Sequence, residues 1–227
     1  MSTNPLPSAG TAKSPARSPA RLSDEQILVV STQRLYASFG QWNGIKNVDE
    51  RTFATFVVQE GLFVARAPAE QDPLLKQIIP YLVFQHDGAL FLMRRTSKSR
   101  EQRLHDRYTL GIGGHIRQED IKNHDIFAWA DREFHEEICY EGSFTTRLLG
   151  VINDDSDEVG TVHVGCVYLL MGGSSAIAIR DELAWGALTP LNECIVFRDR
   201  MESWSRLVLD FLLTQKPPIS TPGHFCS

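Results

Sequence analysis

The sequence predicts a mixed α/β domain, and three observations carry that reading. Apolar runs rich in β-branched residues flank turn signals on both sides of the chain's middle, a stretch with helical spacing lies between them, and a second helical stripe follows near the end. In order, "EQILVVSTQRLY" (25–36) predicts a strand leading into a short helix, and "EGLFVARA" (60–67) a further strand. In "IIPYLVFQHDGALFLMRR" (78–95), two apolar arms enclose Asp87-Gly88, a pair suited to the positive φ angles of a tight hairpin. A second hairpin is expected in "RLLGVINDDSDEVGTVHVGCVYLLM" (147–171), with its polar loop at 153–160. Trp204, Leu207, Val208, Phe211 and Leu212 recur at helical spacing before Lys216-Pro217-Pro218, so they form a core-facing stripe.

Composition limits the functions available. The 227 residues are 42% hydrophobic and 22% charged, which suits one substantial core. The first 22 residues hold Lys13, Arg17 and Arg21 and no acid, so this segment is at +3 and the remainder of the chain, whose total is −5, is at −8. That acidic body argues against nucleic acid as the main partner, since phosphate-backbone binding needs clustered positive charge. Four dispersed cysteines without a CxxC pair argue against a zinc site or disulfide framework. No apolar run approaches the roughly 18 residues of a membrane span, and a cytoplasmic location is expected. Residues 1–22, with the tandem "SPARSPAR", predict a disordered Ser/Pro/Ala-rich tail; 23–215 form the single domain, and 216–227 a flexible C-terminal tail.

The central stretch "GIGGHIRQEDIKNHDIFAWADREFHEEICYEG" (111–142) carries the chemistry. On a helix over 126–138 at about 100° per residue, Ile126, Phe127, Ala130, Phe134 and Ile138 fall within an arc of about 120°. Glu133, Glu136 and Glu137 lie immediately beside that buried arc. Like charges at i,i+3 and i,i+4 cost about 0.2–0.5 kcal/mol per pair, and only Arg132, one turn from Glu136, offsets them within the helix. A divalent cation such as Mg²⁺ or Mn²⁺ would supply the missing positive charge, since both take hard oxygen donors and recruit substrate phosphates. "GIGG", placed after the strand-like "RYTL", would form a turn that lets backbone approach a ligand closely.

Gly114 to Tyr140 resembles the Nudix box: glycine, five residues, an acid, a spacer, then Arg-Glu-x-x-Glu-Glu. "REFHEE" (132–137) matches the latter half in full. Counting from Gly114 places Asp120 at the acid position where the family usually has Glu; counting from Gly113 reaches Glu119, and the first register is preferred. In that register the spacer is eleven residues instead of seven, a four-residue insertion, and Cys139 stands where the family has glycine. The "RLH…GIGGHI" style is similar to that of a subgroup called Nudix phosphoesterases. The resemblance covers the motif sharply and 75–215 loosely, and implies an α/β/α sandwich with a mixed β-sheet.

The resemblance also implies roles. Glu133, Glu136 and Glu137 would ligate Mg²⁺ or Mn²⁺, with the Gly114 carbonyl a further ligand. Arg132 would brace the helix or orient a glutamate, partnered by Asp120 or Glu119. The activity implied is attack of water on a diphosphate, a pyrophosphatase chemistry, with a small-molecule diphosphate as substrate. Glu133 is the first choice of general base; Glu158 and Glu182 are alternatives, as are Asp154, Asp155 and Asp157. A basic run including Arg94, Arg95, Lys98, Arg100 and Arg103 could clamp phosphates or be a solvated hairpin extension. His115, His163 and Trp129 suit structural places better than substrate contact. Two other readings stay open: a non-catalytic sensor of a nucleotide-like ligand, and a prenyl-diphosphate isomerase needing a placed cysteine. Dimers are common in the family, so a homodimer is the expected assembly.

Overall fold

The computed structural model describes residues 25–96, 106–120, 133–180 and 183–215. The tails expected at 1–22 and 216–227 lie outside them. The chain opens with β1 (Gln26–Ser31), α1 (Thr32–Phe39), β2 (Gly44–Lys46), α2 (Glu50–Glu60), β3 (Leu62–Ala65) and α3 (Arg66–Ala69). The strand, short helix and later strand expected here are all present. Helix α2 was not expected, although its three buried residues, Phe53, Phe56 and Val57, stand at the i, i+3, i+4 spacing of a helix; Asp49 caps it by accepting the Thr52 N–H at 2.9 Å.

The long strand β4 (Leu75–His86) turns through Asp87 and Gly88, both at positive φ (46° and 78°), into β5 (Ala89–Arg95). This is the predicted Asp-Gly hairpin. Then follow β6 (Tyr108–Thr109), β7 (Gly111–Gly113), a 3₁₀ turn (Gln118–Asp120), the helical residues 133–137 (α4), and β8 (Ile138–Tyr140). The second hairpin joins β9 (Phe144–Asn153) to β10 (His163–Gly172) through the short α5 (Glu158–Thr161). Strands β11 (Ile177–Ile179) and β12 (Leu183–Pro190) lead to α6 (Leu191–Cys194) and to α7 (Ser203–Thr214), which carries the predicted C-terminal stripe.

Strands β12-β5-β4-β10-β9-β2 form the main path of one sheet, with β1, β3, β6 and β7 attached beside it. β4 and β10 run parallel and the other neighbours antiparallel, so the sheet is mixed. Both faces of β5 are buried, which explains its unbroken apolar run. Phe91 and Met93 join the core beneath α1, α2 and α4, while Leu90 and Leu92 face Val208, Leu209 and Leu212 of α7. Helices thus cover both faces, giving the α/β/α sandwich expected.

Two local expectations are corrected. The helix drawn over 126–138 ends at Glu137: Ile138 opens β8 and pairs with Ile179, and 126–132 lie outside the described residues. "GIGG" is not chiefly a turn, since Gly111–Gly113 is a strand paired to Val83–Tyr81.

Candidate active site

Strand β7 is glycine-bearing because Tyr81 lies over it. A Cβ at Gly111 would come within 2.3 Å of the Tyr81 ring. The ring cannot easily yield: its hydroxyl lies 2.8 Å from Ser205 Oγ and 3.2 Å from Thr109 Oγ1, and its face meets the edge of Trp204 at 5.6 Å. Gly114 follows directly, half-buried.

Beyond β7, α4 is anchored by Phe134, 1% exposed, which stacks on Phe84 at 6.0 Å and meets Phe144 edge-on at 5.7 Å. Fixing Phe134 fixes its neighbours. Glu133 is largely buried and Glu137 half-buried, so these two border the core as their spacing predicted, while Glu136 is exposed. As placed, no three acid, histidine or cysteine side chains among the described residues converge closely enough to hold an ion together.

Two arginines face these acids. Arg95 pairs with Glu202; burial works to lower its pKa, but Glu202 and, more weakly, Glu137 hold it above the ordinary value. Arg117 Nη2 lies 3.8 Å from Glu133 Oε1. Behind it, Arg117 Nε lies 2.5 Å from Glu25 Oε1, without the N–H aimed along the contact, so this is charge pairing rather than an aligned hydrogen bond. Glu25 also accepts from Arg66 Nη1 at 3.1 Å, and Arg66 Nε donates to Glu70 at 2.7 Å.

Of the candidate partners of Arg132, Asp120 accepts the Arg117 backbone N–H at 3.2 Å, and Glu119, 75% exposed, lies 3.9 Å from Arg117 Nη1. Arg132 itself, Arg103, Glu182 and Trp129 lie outside the described residues. Arg94 sits in register between Tyr108 and Trp185, its buried Nε without a hydrogen-bond partner.

The acidic loop is mainly structural. Asp154 is buried and accepts the Ser156 N–H at 3.2 Å, and Asp157 caps α5 through Gly160 N at 2.7 Å. Asp155 accepts from Lys76 Nζ at 2.5 Å, from Tyr36 at 2.6 Å and from Asn153 at 3.1 Å. Glu158 is exposed on the first turn of α5. His115 Nε2 is 2.7 Å from Gln77 Oε1, and its ring lies 5.6 Å from that of His163; burial, then Arg66, His163 and Arg117, hold its pKa well below the ordinary value. Both histidines are packing elements. Cys166 is buried and its thiol is pushed up to about 12 by burial and then by Glu50, which weighs against a thiol-dependent isomerisation there. A surface groove of about 420 Å³ between α1 and α2, lined by Phe39, Phe56 and Arg51, includes none of these acids.

Arg117, Glu25 and Lys76 were not singled out from sequence. Charged residues within mostly apolar or unremarkable stretches give no sign of their burial until the fold brings them together.

No family model matches the chain. The protein YmaB of Bacillus subtilis (strain 168) is 32% identical over 204 residues, spanning 83% of this chain and 98% of that protein. Tm1382, provisionally assigned as a Nudix hydrolase, is 31% identical in sequence and aligns structurally with a TM-score of 0.72 over 83% of this chain and 98% of its own. DR0079 from Deinococcus radiodurans shares the fold at 15% identity and a TM-score of 0.50, over 73% of this chain and 96% of its own. Fold and site together define an α/β/α sandwich with a glutamate-bearing helix set beside a glycine strand. The chain belongs to the Nudix hydrolase family, hydrolases of acid anhydrides.

Proposed function

We infer that the protein is a Mg²⁺- or Mn²⁺-dependent hydrolase that cleaves the diphosphate bond of a small molecule, such as a nucleoside diphosphate linked to another moiety. The single observation carrying this reading is the set Glu133, Glu136 and Glu137 on α4, whose Phe134 packs into the same core as Ile112 of β7, in a chain of this family. The donor set fits a hard divalent cation by its chemistry: three carboxylates within about one helical turn, with the Gly114 carbonyl nearby in sequence. A bound metal would lower the pKa of water and neutralise charge developing on the bridging oxygen.

The chain's own groups do the rest. Glu133, shielded from solvent and facing Arg117, is the candidate acceptor of the proton from the attacking water. Asp155 and Asp157 are engaged within their own loop, with Lys76 and with the Gly160 N–H. Arg95, paired with Glu202 and within the field of Glu137, is the candidate to meet substrate phosphate.

The test is phosphate-coupled turnover on nucleoside diphosphate sugars, dinucleoside polyphosphates, NAD(H), CoA and NTPs with Mg²⁺ or Mn²⁺. Glu136→Gln and Glu137→Gln should each lower turnover by at least about 100-fold with unchanged circular dichroism, at or beyond the top of the range for residues that only support a metal ligand. Full activity in both variants would sink the reading.

A further inference from the structure

Resting on that reading, we propose that Arg117 is the positioning residue of the site: one guanidinium spans Glu25 and Glu133 and so fixes the Glu133 carboxylate without contacting substrate. Its Nε edge lies 2.5 Å from Glu25 Oε1 and its Nη2 is 3.8 Å from Glu133 Oε1. The three side chains are 12%, 8% and 14% exposed, so water screens these charges little.

The arginine is itself held from both directions. Its backbone N–H donates to Asp120 Oδ2 at 3.2 Å, its carbonyl accepts from Asp120 N at 3.0 Å, and it forms an isolated β-bridge with Ile27. The preceding Ile116 carbonyl accepts from Leu28 N at 2.8 Å. Glu25 is anchored by Arg66 Nη1 at 3.1 Å and by its own carbonyl, which accepts from Arg66 N at 2.9 Å. Arg66 is held in turn by Glu70. The chain Glu70–Arg66–Glu25–Arg117–Glu133 therefore links the N-terminal strand and α3 to the first glutamate of the box.

Arginine is needed because two separated edges of a planar group are used at once. A lysine offers one point charge and can satisfy Glu25 or Glu133, not both. At 3.8 Å the contact to Glu133 is a charge contact and not an aligned hydrogen bond, so it biases where the carboxylate sits. Supporting residues of this sort typically change metal affinity or activity by 10- to 100-fold when removed.

The experiment compares wild type, Arg117→Lys, Glu25→Gln and Glu137→Gln by Mn²⁺ titration with electron paramagnetic resonance. Steady-state kinetics follow on whichever diphosphate the wild type turns over. Arg117→Lys should weaken Mn²⁺ binding about 10-fold and lower kcat by about 10- to 100-fold, with KM within about twofold. Glu25→Gln, which keeps the acceptor for Arg66 but removes the charge facing Arg117, should move both in the same direction by less. Wild-type-like Mn²⁺ affinity in folded Arg117→Lys, with only a lowered melting temperature, would overturn the proposal. Turnover and Mn²⁺ binding separate the two readings. If no substrate is turned over yet Arg117→Lys still weakens Mn²⁺ binding, the positioning role stands and the hydrolase reading falls. A wild type that binds no Mn²⁺ refutes the positioning role.

Discussion

Lys76 is 1% exposed, and its ammonium donates to Asp155 Oδ1 at 2.5 Å and to the Gly160 carbonyl at 2.8 Å. Lys76→Met keeps the stem's apolar volume and removes both bonds. The Gly160 carbonyl, within a buried turn, then keeps only the shared Val162 N–H, so the loss lies toward the low end of the about 1–3 kcal/mol for an unsatisfied buried group. Breaking a fully buried ion pair costs about 3–5 kcal/mol, but Asp155 is 33% exposed and keeps Tyr36 and Asn153, so only a fraction of that applies. Relief of the ammonium's desolvation, the largest influence on Lys76 and the one that lowers its pKa, works the other way. The net expectation is a loss of about 2–3 kcal/mol at pH 7, or about 5–10 °C in Tm for a domain of this size. Urea denaturation measures it, with the slope unchanged and the midpoint lowered. Partial burial pushes the Asp155 carboxyl up, but Lys76, Tyr36 and Asn153 more than offset it and hold it below 3.8. A depressed carboxyl stabilises above its unfolded pKa and loses that contribution as pH falls through the folded value, so the gap between wild type and variant should narrow below about pH 4. A loss under about 0.5 kcal/mol, or a gain, would show that desolvation dominates and refute the reasoning.

Gly111→Ala drives a methyl to 2.3 Å from a ring pinned by Ser205, Thr109 and Trp204, and should destabilise by about 1–3 kcal/mol, the cost of overpacking; equilibrium unfolding checks it, and an unchanged midpoint would mean the ring yields freely. For His115, burial first and then Arg66, His163 and Arg117 keep the folded pKa well below 6.5. The unfolded chain therefore takes up a proton first, and stability should fall as pH drops below 6.5, by up to about 1.4 kcal/mol per pH unit until the folded value is reached. His115→Gln should flatten that slope between pH 7 and 5 in urea titrations; an identical slope would assign it to other groups.

Legibility followed the kind of interaction each element depends on. Both hairpins were readable because their turns and apolar arms are local: Asp87-Gly88 is adjacent in sequence to the strands it joins. The stripe on α7 was readable for the same reason. The boundary at Ile138 was misread because apolar spacing alone cannot distinguish the last position on a helix from the first position of a buried strand, and the deciding partner, Ile179, lies far along the chain. β7 was misread as a turn because glycines usually signal one; here they clear space for Tyr81, a cross-strand neighbour visible only in register.

The site divides along the same line. The three proposed acids could be read as one set because they lie within about one turn of one helix, a spacing the sequence itself carries. Their support was not, because Glu25, Arg66 and Arg117 come from three separate segments and become a unit only when β1 reaches both α3 and the strand-like path at Ile116. An isolated Arg117 reads as a solvated loop charge. Folded between Glu25 and Glu133 it is 12% exposed, and removing it would take one of the positive charges that face Glu25, which is 8% exposed. The donors of this site are therefore specified locally and their positioning globally, so substitutions far from the box in sequence, at Glu25 or Arg66, should reach Glu133 through Arg117 without altering a ligand.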